Sequence, residues 1–230
     1  MNILCTICAR KGSKGIKNKN MILINNQKLI DLSIHQAKKA KLFNKIVVST
    51  DSKRIQKHVV TKKVLSWFIR PKKLSEDKSS KLDVIRHALI ESEKKFNTKF
   101  DIICDLDVTS PLRLKSDIIN SYRKFVKNKY EILFSVCEAK KNPYFNMVEK
   151  KNDKIELVKN LKEKILSRQK APKVYEMNAS IYFWKRDTLI EKKGLFGKNV
   201  GIYLMPRDRS IDIDDYFDLE LVKKLIKKKI

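Results

Sequence analysis

The sequence predicts a doubly wound α/β domain around a mostly parallel sheet. Continuous apolar runs, which read as buried strands, alternate with longer stretches of helical period. Polar stretches carrying Gly, Arg, Lys and Asp follow several of those runs, at the strand carboxyl ends where such sheets bind ligands. The chain is long enough for one large domain, 1–230, and its 42% hydrophobic content is enough for a core.

The first strand is read over Ile3 to Cys8, and an amphipathic helix over Leu29 to Lys41, with apolar residues at 29, 30, 32, 34 and 37. Lys45 to Thr50 reads as a second strand, after which Asp51 and Ser52 cap a short helix near 53–61. Val64 to Ile69 reads as a third strand, ended by Arg70-Pro71. Lys78 to Lys95 is helical, with Leu82, Ile85, Leu89 and Ile90 on its apolar side. A strand over 101–106, a helix over 117–126 and a strand over 131–137 follow. Residues 138–175 break the rhythm. They hold two extended pieces, 143–148 and 154–158, and read as an inserted arm. Strands over 175–184 and 200–205 and a closing helix over 216–228, with Phe217, Leu221, Leu225 and Ile226 facing inward, complete the chain.

The net charge of +27 comes from 53 basic residues, of which 43 are lysine and ten arginine. The lysines are scattered along helices, and aromatic residues are not interleaved with them. They therefore read as solvated surface more readily than as a nucleic-acid track. A basic nucleic-acid-binding protein remains the alternative of another class. Cys5-x-x-Cys8 lies inside an apolar strand without a second such pair, so buried thiols and a reducing cytoplasm are expected. No apolar run reaches transmembrane length and no signal peptide is read, so no membrane partner is expected. His35, His58 and His87 lack partners of the metal-ligand kind.

The loop 9–20 gathers Arg10, Lys11, Lys14, Lys17 and Lys19 around Gly12, Ser13 and Gly15. A strand running into such a loop suits a polyphosphate, and the same composition suits a solvated basic loop. It has neither the Walker A nor the Gly-x-Gly-x-x-Gly spacing. Asp212 and Asp214, two apart in an extended segment, share a face opposite Ile211 and Ile213. Such a pair suits magnesium together with substrate phosphates. Capping of the last helix by Asp214 or Asp215 is the other reading.

Arg10-x-x-Ser13-Lys14-Gly15 followed by Lys19-Asn20 resembles the N-terminal signature of the acylneuraminate cytidylyltransferases, the CMP-sialic acid synthetases. Arg70-Pro71, Thr109-Ser-Pro-Leu-Arg113, Asn178-Ala-Ser-Ile-Tyr182 and Ser210-Ile-Asp-Ile-Asp214 match in order and span nearly the whole chain. The resemblance implies a fold like that of nucleotide-diphospho-sugar transferases. It also implies a Mg2+-dependent transfer from CTP, a homodimer, and an arm that reaches across it to complete the sugar site. The 3-deoxy-octulosonate enzymes carry arginine and proline where Gly15 and Asn18 stand, which favours a nine-carbon acid and leaves the octulosonate type as alternative.

The resemblance assigns Arg10, Ser13, Lys14, Lys19 and Asn20 to the nucleotide and its phosphates, with Arg70 and Ser79 around the cytidine. Ser79 would act through its backbone, since the family often has alanine there. Lys19, Arg10 and Asp212 are the expected catalytic groups, and Asp212 and Asp214 the metal ligands. Arg113 is expected in a salt bridge that holds its loop. Asp107, Phe145, Arg168, Gln169, Asn178 and Tyr182 are the expected acid-binding residues. The family usually has glutamine at the position of Asp107, a basic residue near Phe145 and arginine near Glu176. These departures point to a legionaminic or pseudaminic type of nonulosonic acid.

Overall fold

The computed structural model describes residues 1–13, 15–161, 167–191 and 194–227. A six-stranded sheet runs in the order β10-β6-β9-β5-β1-β4. Its strands are β1 (Ile3–Cys8), β4 (Lys45–Ser49), β5 (Ile102–Leu106), β6 (Ile132–Glu138), β9 (Tyr175–Lys185) and β10 (Val200–Leu204). The small pairs β2 (Leu23–Ile24) with β3 (Gln27–Lys28), and β7 (Val148–Lys151) with β8 (Lys154–Leu157), lie outside it. The helices are α1 (Leu29–Ala40), α2 (Lys53–Thr61), α3 (Lys81–Phe96), α4 (Lys115–Lys127), α5 (Arg186–Glu191) and α6 (Tyr216–Lys227).

The sheet is buried on both faces because apolar residues occupy both registers of its strands. Ile3, Cys5 and Ile7 of β1 pack with α1, α4 and α6, through Leu29, Ile34, Phe125 and Val222. Leu4, between them, packs with Val47, Ile103 and the α3 residues Ile85 and Leu89 on the opposite face. This is the doubly wound layering that the apolar runs imply. β1 pairs in parallel with both β4 and β5, so the chain leaves β1 toward one side and returns on the other. The carboxyl ends of these strands therefore open one crevice at the point of reversal.

β9 runs antiparallel to both neighbours within the mostly parallel sheet that the sequence predicts. Two expectations need correction. First, 64–69 is not a ladder strand, and its backbone pairs with β4 through a single bridge, Val47–Leu65. Side chains take up neighbouring backbone groups: Gln56 donates to the carbonyls of Ser66 and Phe68, and Ser66 Oγ donates to Val48 O. Second, Ile90, Phe217 and Leu221, expected to face inward, are exposed, whereas Leu219 and Val222 carry the buried stripe of α6. In the arm, 143–146 forms a turn around Asn142, and the hairpin begins only at Val148. All four cysteines are free thiols. Among the described residues no helix is long and apolar enough to cross a membrane.

Candidate active site

A cleft of about 440 Å³ opens at the carboxyl ends of β1, β4 and β5. Nine of the expected site residues line it: Arg10, Ser13, Lys19, Asn20, Arg70, Ser79, Asp107, Asp212 and Asp214. Lys14 lies outside the described residues.

The basic loop is fastened from both sides. Asn20 donates to Arg10 O at 2.9 Å, and Asp51 accepts from Lys11 N at 2.7 Å. Arg10 pairs with Asp77 at 2.7 Å, on the stretch that leads into α3. Lys19 Nζ donates to Ile213 O at 2.6 Å and lies 3.3 Å from Asp214 Oδ1, tying the loop to the aspartate segment. Gly15 packs against the backbone of Asp214. A Cβ there would stand 2.1 Å from the carbonyl oxygen of Asp214, so only glycine permits this approach.

Arg70 is buried, with Nη2 3.9 Å from Asp51 and Nε and Nη2 without a hydrogen-bond acceptor. A buried guanidinium with unused donors at a cleft wall suits an incoming acceptor such as a base carbonyl.

Asp212 and Asp214 both reach the cleft while Ile213 between them is fully buried. The capping role falls to their neighbour. Asp215 accepts from Asp218 N at 2.9 Å, and Asp218 in turn accepts from Asp214 N and Asp215 N. The segment is held by Ile213 N donating to Thr109 O, and upstream by Arg209, whose guanidinium grips Asp117 of α4 at 2.8 and 3.0 Å. Burial, and then the negative charges of Asp107 and Asp214, push the Asp212 carboxyl up to about 6. Its Oδ1 is buried with no hydrogen-bond partner.

An orphaned carboxylate oxygen among like charges fits a hard divalent cation. Among the described residues no group of three or more His, Cys, Asp or Glu side chains converges to hold an ion. Asp212 and Asp214 would thus hold magnesium jointly with ligand phosphates, the usual arrangement for that ion.

Lys81, which the sequence reading passed over, also lines the cleft. Its Nζ lies 2.6 Å from Asp107 Oδ2, 3.1 Å from the fully buried Asp105 and 4.6 Å from the centre of the Tyr182 ring. Burial draws its pKa down, but Asp107 and Asp105 outweigh it and hold the ammonium well above the ordinary lysine range. Asp107, which burial alone would raise, is held below its ordinary value by Lys81 and by the N–H and hydroxyl of Thr109. The one sequence signal for Lys81 is its place at a helix start, where a cation opposes the dipole.

The other expected acid-binding residues stand elsewhere. Asn178 is buried and fully engaged: it donates to Ser210 Oγ and accepts from Ser135 Oγ and Ser180 N. It spans a bulge in β9, where Ala179 has φ 51° and Ser135 Oγ accepts the freed Ile181 N–H. Tyr182 is buried against Trp184, their rings 5.4 Å apart, and meets the cleft only through Lys81. Arg168 donates to the carbonyls of Ala139 and Lys140. Phe145, Arg168 and Gln169 lie on the arm and do not line the cleft. Among the described residues Arg113 makes no salt bridge and holds its loop by donating to Ser180 O, Ser180 Oγ and Ser33 Oγ. Its direct partners are hydroxyls and a carbonyl, with Asp107 and Asp105 acting only through their charge.

Residues 4–230 match the family model described as Cytidylyltransferase. The chain is 44% identical to the post-translational flagellin modification protein B of Campylobacter coli. It is 46% identical to the CMP-N,N'-diacetyllegionaminic acid synthase of Campylobacter jejuni. Both comparisons cover 99% of this chain and 96% of the relative. Among solved structures, a CMP:2-keto-3-deoxy-manno-octonic acid synthetase complexed with CTP superposes over the whole of both chains. The TM-score is 0.72 at 15% identity, a likeness of fold alone.

Proposed function

We propose, because the chain belongs to the cytidylyltransferase family, that it activates a nonulosonic acid of the legionaminic type with CTP, giving the CMP-sugar and pyrophosphate. The observation that carries this reading is the convergence in one cleft of the basic loop, Arg70 and the orphaned Asp212. The relative 46% identical over its whole length, named for N,N'-diacetyllegionaminic acid, supports the choice of acid. So does Asp107 where the sialic-acid enzymes usually have glutamine.

In the reaction the anomeric hydroxyl oxygen of the acid forms a bond to the α-phosphorus of CTP and gives up its proton to solvent water. The bond from that phosphorus to the bridging oxygen breaks, and pyrophosphate leaves with the electron pair. Arg10 and Lys19, fixed by Asp77 and by the Ile213 carbonyl, present positive charge where the leaving oxygens become more negative. Arg70 and the backbone around Ser79 hold the cytidine, and Ser13 and Asn20 order the phosphate loop. Asp212 and Asp214 would hold Mg2+, which when bound polarises the α-phosphate. Much of the acceleration then comes from holding two anions in line against their mutual repulsion.

The arm, 138–175, exposes Met147, Val148, Ile155 and Val158. In this reading it packs against a second copy in a homodimer and brings Phe145, Arg168 and Gln169 to that copy's acid site. A reducing cytoplasm suits the four free thiols.

The decisive test is pyrophosphate release from CTP and Mg2+ with a panel of N,N'-diacetyllegionaminic, pseudaminic, N-acetylneuraminic and 3-deoxy-octulosonic acids. Highest kcat/KM for the first is expected. Preferred turnover of 3-deoxy-octulosonic acid would overturn the nine-carbon assignment.

A further inference from the structure

A second cavity, of about 460 Å³, opens on the other side of the basic loop. Lys11, Lys17 and Lys72 line it, and Gly12, Ser13 and Glu76 line both it and the cleft, so the two spaces meet along one edge. That edge is low at Gly12, where among the described residues no atom lies within 4 Å of the place a Cβ would take. The cations inside the cleft are engaged with carboxylates: Arg10 with Asp77, Lys19 with Asp214, and Lys81 with Asp105 and Asp107. Lys11, Lys17 and Lys72 differ. All three are exposed, and among the described residues their ammonium groups make no ion pair or hydrogen bond.

We propose that Lys11, Lys17 and Lys72 form a second anion site, which receives pyrophosphate as it leaves the cleft. Ammonium groups are compact charges with rotatable donors, suited to the many oxygens of a condensed phosphate. Two carboxylates line the same cavity. Asp51 is committed, accepting from Lys11 N and facing Arg70, so Glu76 is left to oppose three ammoniums. α2 begins just after Asp51 with Lys53 and Arg54 and has no acidic residue in its first turn, so its dipole adds to the positive field.

No bond is made or broken in this step. The anion passes over the shared edge from cations that carboxylates already compensate to cations that none compensates. Once on the outer side of the loop it no longer stands in line with the phosphorus of the CMP-sugar, so the reverse attack is cut off. Water around the three exposed side chains screens each contact, which makes the site weak and salt-sensitive and lets the product go.

The inference rests on the proposed transfer from CTP, and the experiment separates the two. Pyrophosphate is titrated by calorimetry into protein saturated with CTP and Mg2+, with no acid present, so that the cleft is already filled. The test variant combines Lys11→Gln, Lys17→Gln and Lys72→Gln. A control combines Lys115→Gln, Lys124→Gln and Lys127→Gln, which removes the same charge from exposed positions on α4, a helix that lines neither cavity. Wild type is expected to bind one pyrophosphate beside CTP, and the test variant to bind it about tenfold or more weakly. The control is expected to stay within about twofold of wild type, and CTP affinity within about threefold in all three proteins. Should the triple variant fail to bind CTP at all, Lys72→Gln alone carries the same test with a loss of about threefold. No pyrophosphate binding to CTP-loaded wild type, or equal weakening in test variant and control, overturns the inference. So does a loss of CTP affinity in step with that for pyrophosphate, which would place the three lysines in the cleft's own work. A wild type that binds pyrophosphate beside CTP but turns over none of the four acids overturns the functional reading and leaves the anion site standing.

Discussion

The cleft and the arm are made by opposite means. The cleft collects residues from 10 to 214 because three neighbouring strands end side by side. Its walls are then cross-tied by Lys19 to Ile213, Asn20 to Arg10 and Ile213 to Thr109. Among its described residues the arm carries a hairpin of two four-residue strands paired with each other and with no strand of the main sheet. Its Val148 and Ile155 are more than 60% exposed. An isolated two-stranded ribbon is marginal in water, so such a ribbon gains by lying against another surface. In the proposed reading this contrast divides the chemistry: the sheet topology of one chain would set the nucleotide half, and the arm would carry part of the acid half outward from it.

The sharpest way to break the cleft is to remove the charge of Asp212. Asp212→Asn is expected to lower pyrophosphate release by about 1000-fold while CTP-free protein stays folded. The same change should stabilise the metal-free protein at pH 8. The folded-state pKa of about 6 lies above the ordinary 3.8, so the folded protein holds this proton more tightly than the unfolded chain does. Stability from this group is therefore present at low pH and lost as pH rises through about 6, a cost of up to about 3 kcal/mol above that. Thermal unfolding without magnesium should show the variant ahead at pH 8 and level with wild type at pH 4. Equal midpoints at pH 8 would mean that Asp212 is not strained.

Gly15→Ala tests the join between the basic loop and the aspartate segment. The added methyl would meet the Asp214 carbonyl at 2.1 Å, and the loop must back away. We expect kcat to fall by about 100-fold, with a stability loss of about 1–3 kcal/mol. Turnover within a factor of two of wild type would show that the contact is dispensable.

Much of this cleft was legible in the sequence because its residues fall in short, ordered motifs directly after apolar runs. Lys81 was not, since a lysine at a helix start is a faint signal among 43 lysines until Asp105, Asp107 and Tyr182 are seen to surround it. Asn178 and Tyr182 were legible as a motif but not in their role. A strand residue next to a ligand and a strand residue holding a bulge have the same local pattern, and only the hydrogen bonds that Asn178 accepts from Ser135 and Ser180 and donates to Ser210 tell them apart. The supposed strand at 64–69 had the right composition. Gln56, a residue on the preceding helix, and Ser66 itself compete for the backbone groups a ladder would need.

The arm is best tested by a charge on its exposed apolar face. Ile155→Asp is expected to shift the protein toward monomer in analytical ultracentrifugation and to raise KM for the acid by about tenfold, with CTP affinity within about twofold. CTP affinity falling in step with acid affinity would contradict the separation of the two halves. Unchanged mass and kinetics would remove the arm from the acid site.

The smallest expected effect is the most specific to the metal reading. A proton and a cation compete for the same Asp212 carboxylate, and with a pKa of about 6 that group is half protonated near pH 6. Magnesium titrations of turnover should therefore show an apparent affinity about twofold weaker at pH 6 than at pH 8, and about tenfold weaker for each further unit below. A carboxylate at its ordinary pKa would leave the affinity level down to about pH 5, so a flat profile between pH 8 and pH 5 separates the alternatives. Saturating magnesium should restore the rate at pH 6, because it displaces the proton. Loss that magnesium cannot restore would place the titrating group elsewhere in the cleft.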